Sequence, residues 1–354
     1  MTQLSLNKKA LIAMSGGVDS SVSALLMQEK GYECVGVTMS LFKKSSCCSE
    51  DDINDAKNVC ASLGMEHYVV GFAERFKHDV IDRFIDAYTH GRTPNPCVDC
   101  NRNLKFGELF KKAQELGCDY VVTGHYVRVR YDEEKGRYLL LKGADPKKDQ
   151  SYVLYSMKQE QLAHAQFPLG EFCKTEIREI AEKHGFVNAH KHDSQDICFV
   201  ENGKYAEFIE KQTGKKFPAG NFVDVEGNVL GRHKGIINYT VGQRKGLGLA
   251  LPQPMYVKEL DVKHNKVILA TNDQLFSTHV VANEINLIDC DRITEPRRLK
   301  ARIRYHHVEQ WATVTQPDDD TLVVEFDEPQ RAITKGQSLV LYEDDVVVGG
   351  GTII

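Results

Sequence analysis

The sequence predicts an α/β protein: an N-terminal doubly wound parallel sheet, a small central domain and a C-terminal β-barrel. Three observations carry this. From Ala10 to Thr123 short apolar runs alternate with amphipathic stretches, the pattern of parallel strands connected through helices. A glycine- and lysine-rich region, Gly203 to Gly248, breaks that rhythm. From about Thr278 only short β-rich runs remain, separated by turn residues, as in a small barrel. The expected domain boundaries are 1–202, 203–276 and 277–354.

Taken in order, Ala10-Leu11-Ile12-Ala13-Met14 reads as a buried strand, and Val22 to Met27 has the Ala/Leu/Met content of a helix start. Cys34 to Met39 reads as a second strand, Asp51 to Leu63 as a helix and Glu66 to Val70 as a third strand. Phe76, Val80, Ile81, Phe84, Ile85 and Tyr88 recur at helical spacing. A breaker-rich loop, Gly91 to Cys97, precedes a helix expected from Leu104 to Leu116 and a strand at Tyr120 to Thr123. Val127–Arg130 and Arg137–Leu141 form an expected hairpin, followed by helices near Lys158–Ala163 and Lys174–His184. Ala301–Tyr305, Leu322–Phe326, Ser338–Tyr342 and Val346–Val348 are expected barrel strands, and Gly349-Gly350-Gly351 a tight terminal turn.

Chemistry first enters at Ala13-Met14-Ser15-Gly16-Gly17-Val18-Asp19-Ser20-Ser21, between the first strand and the first helix. Such a turn makes an anion site: helix-start N–H groups and the helix dipole point into it, and glycines let a phosphate approach the main chain. Ser15, Ser20 and Ser21 add hydroxyls. The lysine and spacing of a Walker A loop are missing. The bland alternative is an ordinary glycine-containing turn, which the whole pattern after a strand disfavours. Ligands of such sheets bind beyond the carboxyl ends of the strands, a rim that also collects Met39 and Gly124-His125-Tyr126.

The composition excludes some classes. With 42% hydrophobic and 27% charged residues, this is an ordinary globular chain, and no run approaches the roughly 18 apolar residues of a membrane span. No signal-peptide pattern precedes the first strand, so a cytoplasmic location is expected. A net charge of −5 argues neither for nor against nucleic acid, because local distribution decides that. Of the ten cysteines, Cys34, Cys60, Cys118, Cys173 and Cys290 read as small hydrophobes, and Cys47-Cys48 as loop cysteines without a role. Cys97 and Cys100, a C-x-x-C in a Pro-framed loop ahead of a helix, suit a thiolate favoured by the helix dipole. Three readings stay open: half of a zinc site, a redox pair, or a set with Cys198 that carries sulfur or ligates an iron–sulfur cluster.

The loop Ser-Gly-Gly-x-Asp-Ser resembles the PP-loop of the ATP pyrophosphatases, adenine-nucleotide α-hydrolase-like enzymes that split ATP to AMP and pyrophosphate. Five further motifs follow in order: Thr93-Pro94-Asn95-Pro96 with Cys100-Asn101, Thr123 to Tyr126, Lys148-Asp149-Gln150-Ser151, Ser194 to Phe199, and Tyr239 to Gly248. Together they resemble the tRNA-specific 2-thiouridylases over nearly the whole chain. The resemblance implies adenylation of the 2-oxygen of the wobble uridine, then displacement of AMP by sulfur. It implies Cys198 as persulfide carrier and Cys100 as nucleophile. ATP, with Mg2+, would meet Ala13, Met14, Ser15, Gly16, Gly17, Val18, Asp19, Ser20, Met39 and Gly124. Asn95, Pro96 and Cys97 would meet the target base, and His125, Lys148, Asp149, Gln150, Tyr305, His306 and Gln337 the tRNA anticodon stem-loop. A persulfide donor, such as a cysteine desulfurase or sulfur-relay protein, is the other implied partner.

One residue departs from the family pattern. Many members carry aspartate where this chain has Cys97, and a thiol there gives three cysteines for a 4Fe–4S cluster with one iron open to sulfide. The expectation is that cluster chemistry replaces a pure persulfide relay. Arg128, Lys147, Lys234, Arg244-Lys245, Arg297-Arg298 and Arg302–His307 are further candidates for RNA contact, each about as well read as a solvated surface residue. The alternatives are a sulfurtransferase for another tRNA position, an amidotransferase or synthetase with the same loop, and a non-catalytic tRNA-binding or sulfur-carrier protein. The three cysteines argue against the second and the intact Asp19 and Ser20 against the third.

Overall fold

The structure is a computed structural model describing residues 8–41, 49–191 and 197–354. Cys47, Cys48 and residues 192–196 of the Ser194–Phe199 motif region lie outside the described residues. The chain begins β1 (Lys9–Ala13), α1 (Val18–Glu29), β2 (Glu33–Ser40), α2 (Glu50–Ser62) and β3 (Glu66–Gly71). Next come α3 (Ala73–Phe76) and α4 (Arg83–Thr89), fused by a π-helical stretch, Lys77–Asp82. In the same way α5 (Pro96–Asp99) runs through a π stretch, Cys100–Glu108, into α6 (Leu109–Glu115). Then follow β4 (Tyr120–Val122), the hairpin β5 (Val127–Asp132) and β6 (Arg137–Lys142), α7 (Gln159–Ala163), β7 (Ala165–Gln166) and α8 (Lys174–Lys183).

β3, β2, β1, β4 and β7 form one parallel sheet in that spatial order. Strand alternation explains why helices cover both faces. Ala10, Ile12 and Met14 pack with Val22, Val59 and Ile177, whereas Leu11 packs with Val98, Phe106 and Leu109. The connection reverses direction between β1 and β4, so their carboxyl ends open the crevice where such sheets bind ligands.

The segment 96–115 differs from expectation. The helix starts at Pro96, not Leu104, so Cys97 lies in its first turn rather than in a loop. Asn95 accounts for this: its Oδ1 accepts the Cys97 N–H at 3.2 Å, and Pro96 occupies the first helical position, where a missing N–H costs nothing.

α9 (Tyr205–Thr213), β8 (Gly220–Val223), β9 (Val229–His233), β10 (Tyr256–Asp261) and β11 (Lys266–Ala270) build the central part, with sheet order β10-β11-β8-β9. Its Phe222, Tyr239, Val257 and Leu269 share an apolar cluster with Phe76, Phe84, Leu104 and Phe199. β12 (Phe276–Leu287), β13 (Arg297–Arg302), β14 (Gln310–Thr315), β15 (Leu322–Arg331), β16 (Ser338–Glu343) and β17 (Val346–Ile353) follow. They pair as β12-β15-β14-β13-β16-β17, and β17 returns to β12, closing a barrel. Gly349-Gly350-Gly351 is no turn: it runs inside β17, in register with β16 and β12. The hairpin β5–β6 attaches to this barrel, Leu141 pairing with Val346. The strand expected to reach Tyr305 ends at Arg302, leaving Tyr305 and His306 in a turn.

Candidate active site

The loop from Met14 to Gly17 leaves β1 and becomes the N-terminus of α1, with Gly17 as a cap residue that makes no side-chain cap bond. The first-turn N–H groups of α1 therefore keep the orphan character of any helix start. Gly16 has φ +75°, and a Cβ there would fall 2.3 Å from the Asp52 carbonyl oxygen. Glycine is required twice, by conformation and by space. The serines act differently from expectation. Ser20 and Ser21 are buried and donate their hydroxyls to the Gly17 carbonyl at 2.9 and 3.1 Å. The Ser15 N–H bonds Ser20 Oγ at 3.3 Å. The Ser15 hydroxyl meets Ser20 Oγ at 3.3 Å as well, so all three hydroxyls brace the loop and the main chain is left to face an anion.

A second layer holds the loop from behind. Asn188 Nδ2 donates to the Gly16 carbonyl at 3.0 Å and to Ser21 Oγ at 2.9 Å. Lys191 reaches the same carbonyl at 3.3 Å and pairs with Asp52 and Asp55, each at 2.7 Å. Those bonds help hold the Asp52 carboxyl below its ordinary range, against the opposing effect of burial. Asp19 takes Lys174 Nζ on both oxygens, at 2.7 and 2.8 Å, and the Tyr126 hydroxyl at 2.7 Å.

Gly124 presses on the start of α1: a Cβ there would lie 2.9 Å from Asp19 Cβ and 3.1 Å from the Ser20 nitrogen. His125, beside it, is buried rather than displayed. Lys105 donates to its Nε2 at 3.4 Å, so Nδ1 carries the proton and donates to Thr123 Oγ1 at 2.7 Å. Burial first, and Lys105 second, push its pKa well below the ordinary value. The ring is a neutral prop between Phe106 and Phe167, not an exposed cation.

The thiols split into two settings. Cys97 is exposed near the head of α5, facing the Tyr305 phenol, whose pKa burial raises first and Asp149 raises further. Cys100 and Cys198 are half-buried and border one apolar cluster, together with Met39. Phe199 pins the Cys198 segment there, with Phe76, Phe84 and Phe208 rings 5.2 to 5.6 Å away. Asp99, between the two helix cysteines, is pushed up to about 6 by burial, although Arg83 and Arg102 oppose the shift. Among the described residues, no three His, Cys, Asp or Glu side chains gather as a metal-holding group. Cys97, Cys100 and Cys198 are all described and do not gather as the set expected for a 4Fe–4S cluster: one sits exposed at a helix start while two border apolar side chains.

The residues expected to meet tRNA fall into outward and inward groups. His306 is exposed and Lys148 half-exposed. Asp149 faces inward, its oxygens accepting from the Gly143 and Ser151 N–H groups, the Ser151 hydroxyl and Arg302 at 2.9 to 3.2 Å. Gln150 accepts the Tyr126 N–H at 3.0 Å, and Gln337 donates to the Thr93 carbonyl at 2.7 Å. These side chains hold the rim in shape. Several candidate arginines are likewise engaged within the protein. Arg297 pairs with Asp289 and Glu343, Arg298 with Asp327, and Arg304 bonds the Val241 and Ala332 carbonyls and Thr334.

Comparison with known proteins fits this geometry. Three family models tile the chain: a tRNA methyl transferase HUP domain over residues 8–202, a tRNA methyl transferase PRC-barrel domain over 206–271 and an aminomethyltransferase β-barrel domain over 277–353. The tRNA-specific 2-thiouridylase MnmA of Clostridioides difficile (strain 630) is 48% identical over 355 residues, covering 98% of each chain. MnmA 1 of Caldanaerobacter subterraneus subsp. tengcongensis is 49% identical over 359 residues, covering 99% of each. This chain belongs to the tRNA-specific 2-thiouridylase family.

Among solved structures, a 4-thiouridine synthetase–RNA complex with bound ATP is 20% identical, with TM-score 0.40 over 58% of this chain and 50% of that one. The U34-tRNA thiolase NcsA of Methanococcus maripaludis with its [4Fe-4S] cluster is also 20% identical, with TM-score 0.36 over 59% and 66%. Likenesses this slight carry no inference about chemistry. Within the thiouridylase chain, sequence reasoning missed Lys174, Asn188 and Lys191. Each reads as an ordinary polar residue on or after a late helix, and only the fold brings it 155 to 175 residues back to the loop.

Proposed function

We propose that this protein uses ATP to replace the 2-oxygen of the wobble uridine of tRNA with sulfur. The observation that supports it most is one sheet rim carrying both halves of that reaction. A PP-loop-type cradle for ATP stands at the head of α1, and Met39, Cys100 and Cys198 border one apolar cluster at the carboxyl end of β2. The family models are described by methyl transfer and the relatives by thiolation. The thiols favour the second, since a thiolate is a strong nucleophile near neutral pH.

ATP is taken to lie against residues 13–20, Met39 and Gly124, its phosphates on the main chain of the loop. Asp19 would hold Mg2+, which takes one or two carboxylates beside substrate phosphates and would offset their charge. Adenylation converts the uracil oxygen into a leaving group. A persulfide on Cys198, loaded by an external persulfide donor, then forms the C2–S bond as the C2–O bond to AMP breaks. The Cys100 thiolate takes the remaining S–S bond, releasing thiouridine and leaving a Cys100–Cys198 disulfide for a cellular thiol to reduce. Asn95, Pro96 and Cys97 would meet the flipped base. Lys148, Tyr305 and His306 would meet the anticodon stem-loop, with His125, Asp149, Gln150 and Gln337 positioning that surface. We divide the chain at 202/203 and 276/277, and place the reaction in the cytoplasm, where tRNA is found.

Purified protein, unmodified tRNA, ATP and a persulfide donor should yield wobble 2-thiouridine by nucleoside mass spectrometry. Cys198→Ala should keep tRNA-dependent pyrophosphate release and lose the thiolated product. Thiolation retained by Cys198→Ala would overturn the carrier role, and no thiouridine from the wild type would overturn the reading.

A further inference from the structure

We propose that Lys174 is the phosphate-binding cation of the nucleotide site, held by Asp19 until the triphosphate arrives. The inference rests on reading the loop as an ATP site. That loop contains no lysine or arginine between Ala13 and Ser21. Backbone N–H groups and a helix dipole supply only partial charges, whereas a departing pyrophosphate carries several full ones. Until Mg2+ meets it, Asp19 makes the imbalance worse, because a bare carboxylate at the mouth of an anion cradle repels its ligand.

The fold supplies cations from elsewhere, and their settings differ. Lys191 is bound by Asp52 and Asp55 on α2, behind the loop, and acts as a brace. Lys174 comes from the first turn of α8, where its own N–H bonds Asp145 Oδ2 at 3.1 Å and fixes the backbone. Its side chain is only 10% exposed and lies within hydrogen-bond distance of both oxygens of Asp19, in the first turn of α1. Tyr126 aligns that carboxylate from the other side, with Lys174 Nζ 5.8 Å from its ring centroid. Lys174 thereby offsets the loop's own carboxylate in the empty site and, once Asp19 turns to Mg2+, brings its positive charge to the helix start, where the phosphate oxygens would lie. It occupies the electrostatic place of a Walker lysine while entering from a different element.

Calorimetric titration of the full-length protein separates the roles, with pyrophosphate and AMP as separate probes in Mg2+ buffer. Lys174→Gln should weaken pyrophosphate about tenfold or more and leave AMP within about twofold, while Lys174→Arg keeps pyrophosphate within about threefold. Unchanged pyrophosphate affinity in Lys174→Gln, or equal losses for both ligands with a lowered melting temperature, would overturn the inference. Should Lys174→Gln fail to fold, Asp19→Asn/Lys174→Gln removes both charges of the pair together. Pyrophosphate should stay weak in that double variant, and recovery to wild-type affinity would show that the lysine only neutralises Asp19. Failure of the wild type to bind either probe would overturn the ATP reading itself, a different result from any variant's selective loss.

Discussion

Gly16 and His125 show how single positions in this site are set by what surrounds them. Gly16 was legible from the sequence, because Gly-Gly between a strand and a helix announces a close main-chain approach. The surface it approaches, the Asp52 carbonyl on α2, was not. His125 was legible as a rim residue, but its burial depends on Phe106 and Phe167, far apart in sequence. Its neutrality has a consequence for stability. The unfolded histidine takes up a proton near pH 6.5, whereas the folded ring, its pKa held well below that by burial and Lys105, does not. Below pH 6.5 the unfolded state therefore binds more protons, and stability falls as pH falls. Wild type should lose melting temperature between pH 7 and 5 more steeply than His125→Gln, measured by thermal unfolding across that range. Parallel pH curves would contradict a buried, neutral His125.

At the scale of elements, the apolar alternation of the first 125 residues was enough for the parallel sheet, since β1, β2 and β4 each carry a buried run and β3, the edge strand, still shows its β-rich Tyr68-Val69-Val70 although it buries none of them. What escaped was weakly patterned. β7 has two residues, β8 and β9 lie in glycine-rich sequence, and β12 alternates polar with apolar residues through Phe276–Leu287 without a strong run. The cysteine helix was misjudged for another reason: Asn95-Pro96 signals a helix start as well as a loop, and its breaker reading prevailed. The cap is testable. Asn95→Ala removes the acceptor for the Cys97 N–H and should cost about 1 kcal/mol of stability in denaturant unfolding. Because Cys97 and Cys100 begin that helix, their alkylation rates should change in the same variant, while that of exposed Cys173, on α8's cap, stays constant. A change shared equally by all three thiols would point to global loosening instead.

Across the whole molecule, the hairpin β5–β6 and the loop after it tie the nucleotide-binding sheet to the barrel. Lys142 at the end of β6 pairs with Glu309 at 2.8 Å, Glu309 with Arg302 at 2.8 Å, and Arg302 with Asp149 at 3.2 Å. Tyr342 lies beneath both cations, its ring centroid 4.8 Å from Lys142 Nζ and 4.9 Å from the Arg302 guanidinium. No sequence pattern announces such pairs, because each partner looks like a surface charge until the barrel closes. The Asp149 side chain is 3% exposed, so removing it leaves a guanidinium whose Nε already has no hydrogen-bond partner with Glu309 as its remaining carboxylate. Breaking a buried pair from one side costs about 3 to 5 kcal/mol, whereas replacing both members can be nearly neutral. Asp149→Ala should therefore destabilise the protein by about 3 kcal/mol, and Asp149→Ala/Arg302→Met should recover at least half of that loss in urea unfolding. If Asp149 instead served tRNA directly and not the barrel junction, Asp149→Ala would weaken tRNA binding with unfolding unchanged, and Arg302→Met would restore nothing. The inward geometry of Asp149 predicts the opposite order of effects: stability first, and tRNA affinity only as the barrel loosens from the sheet.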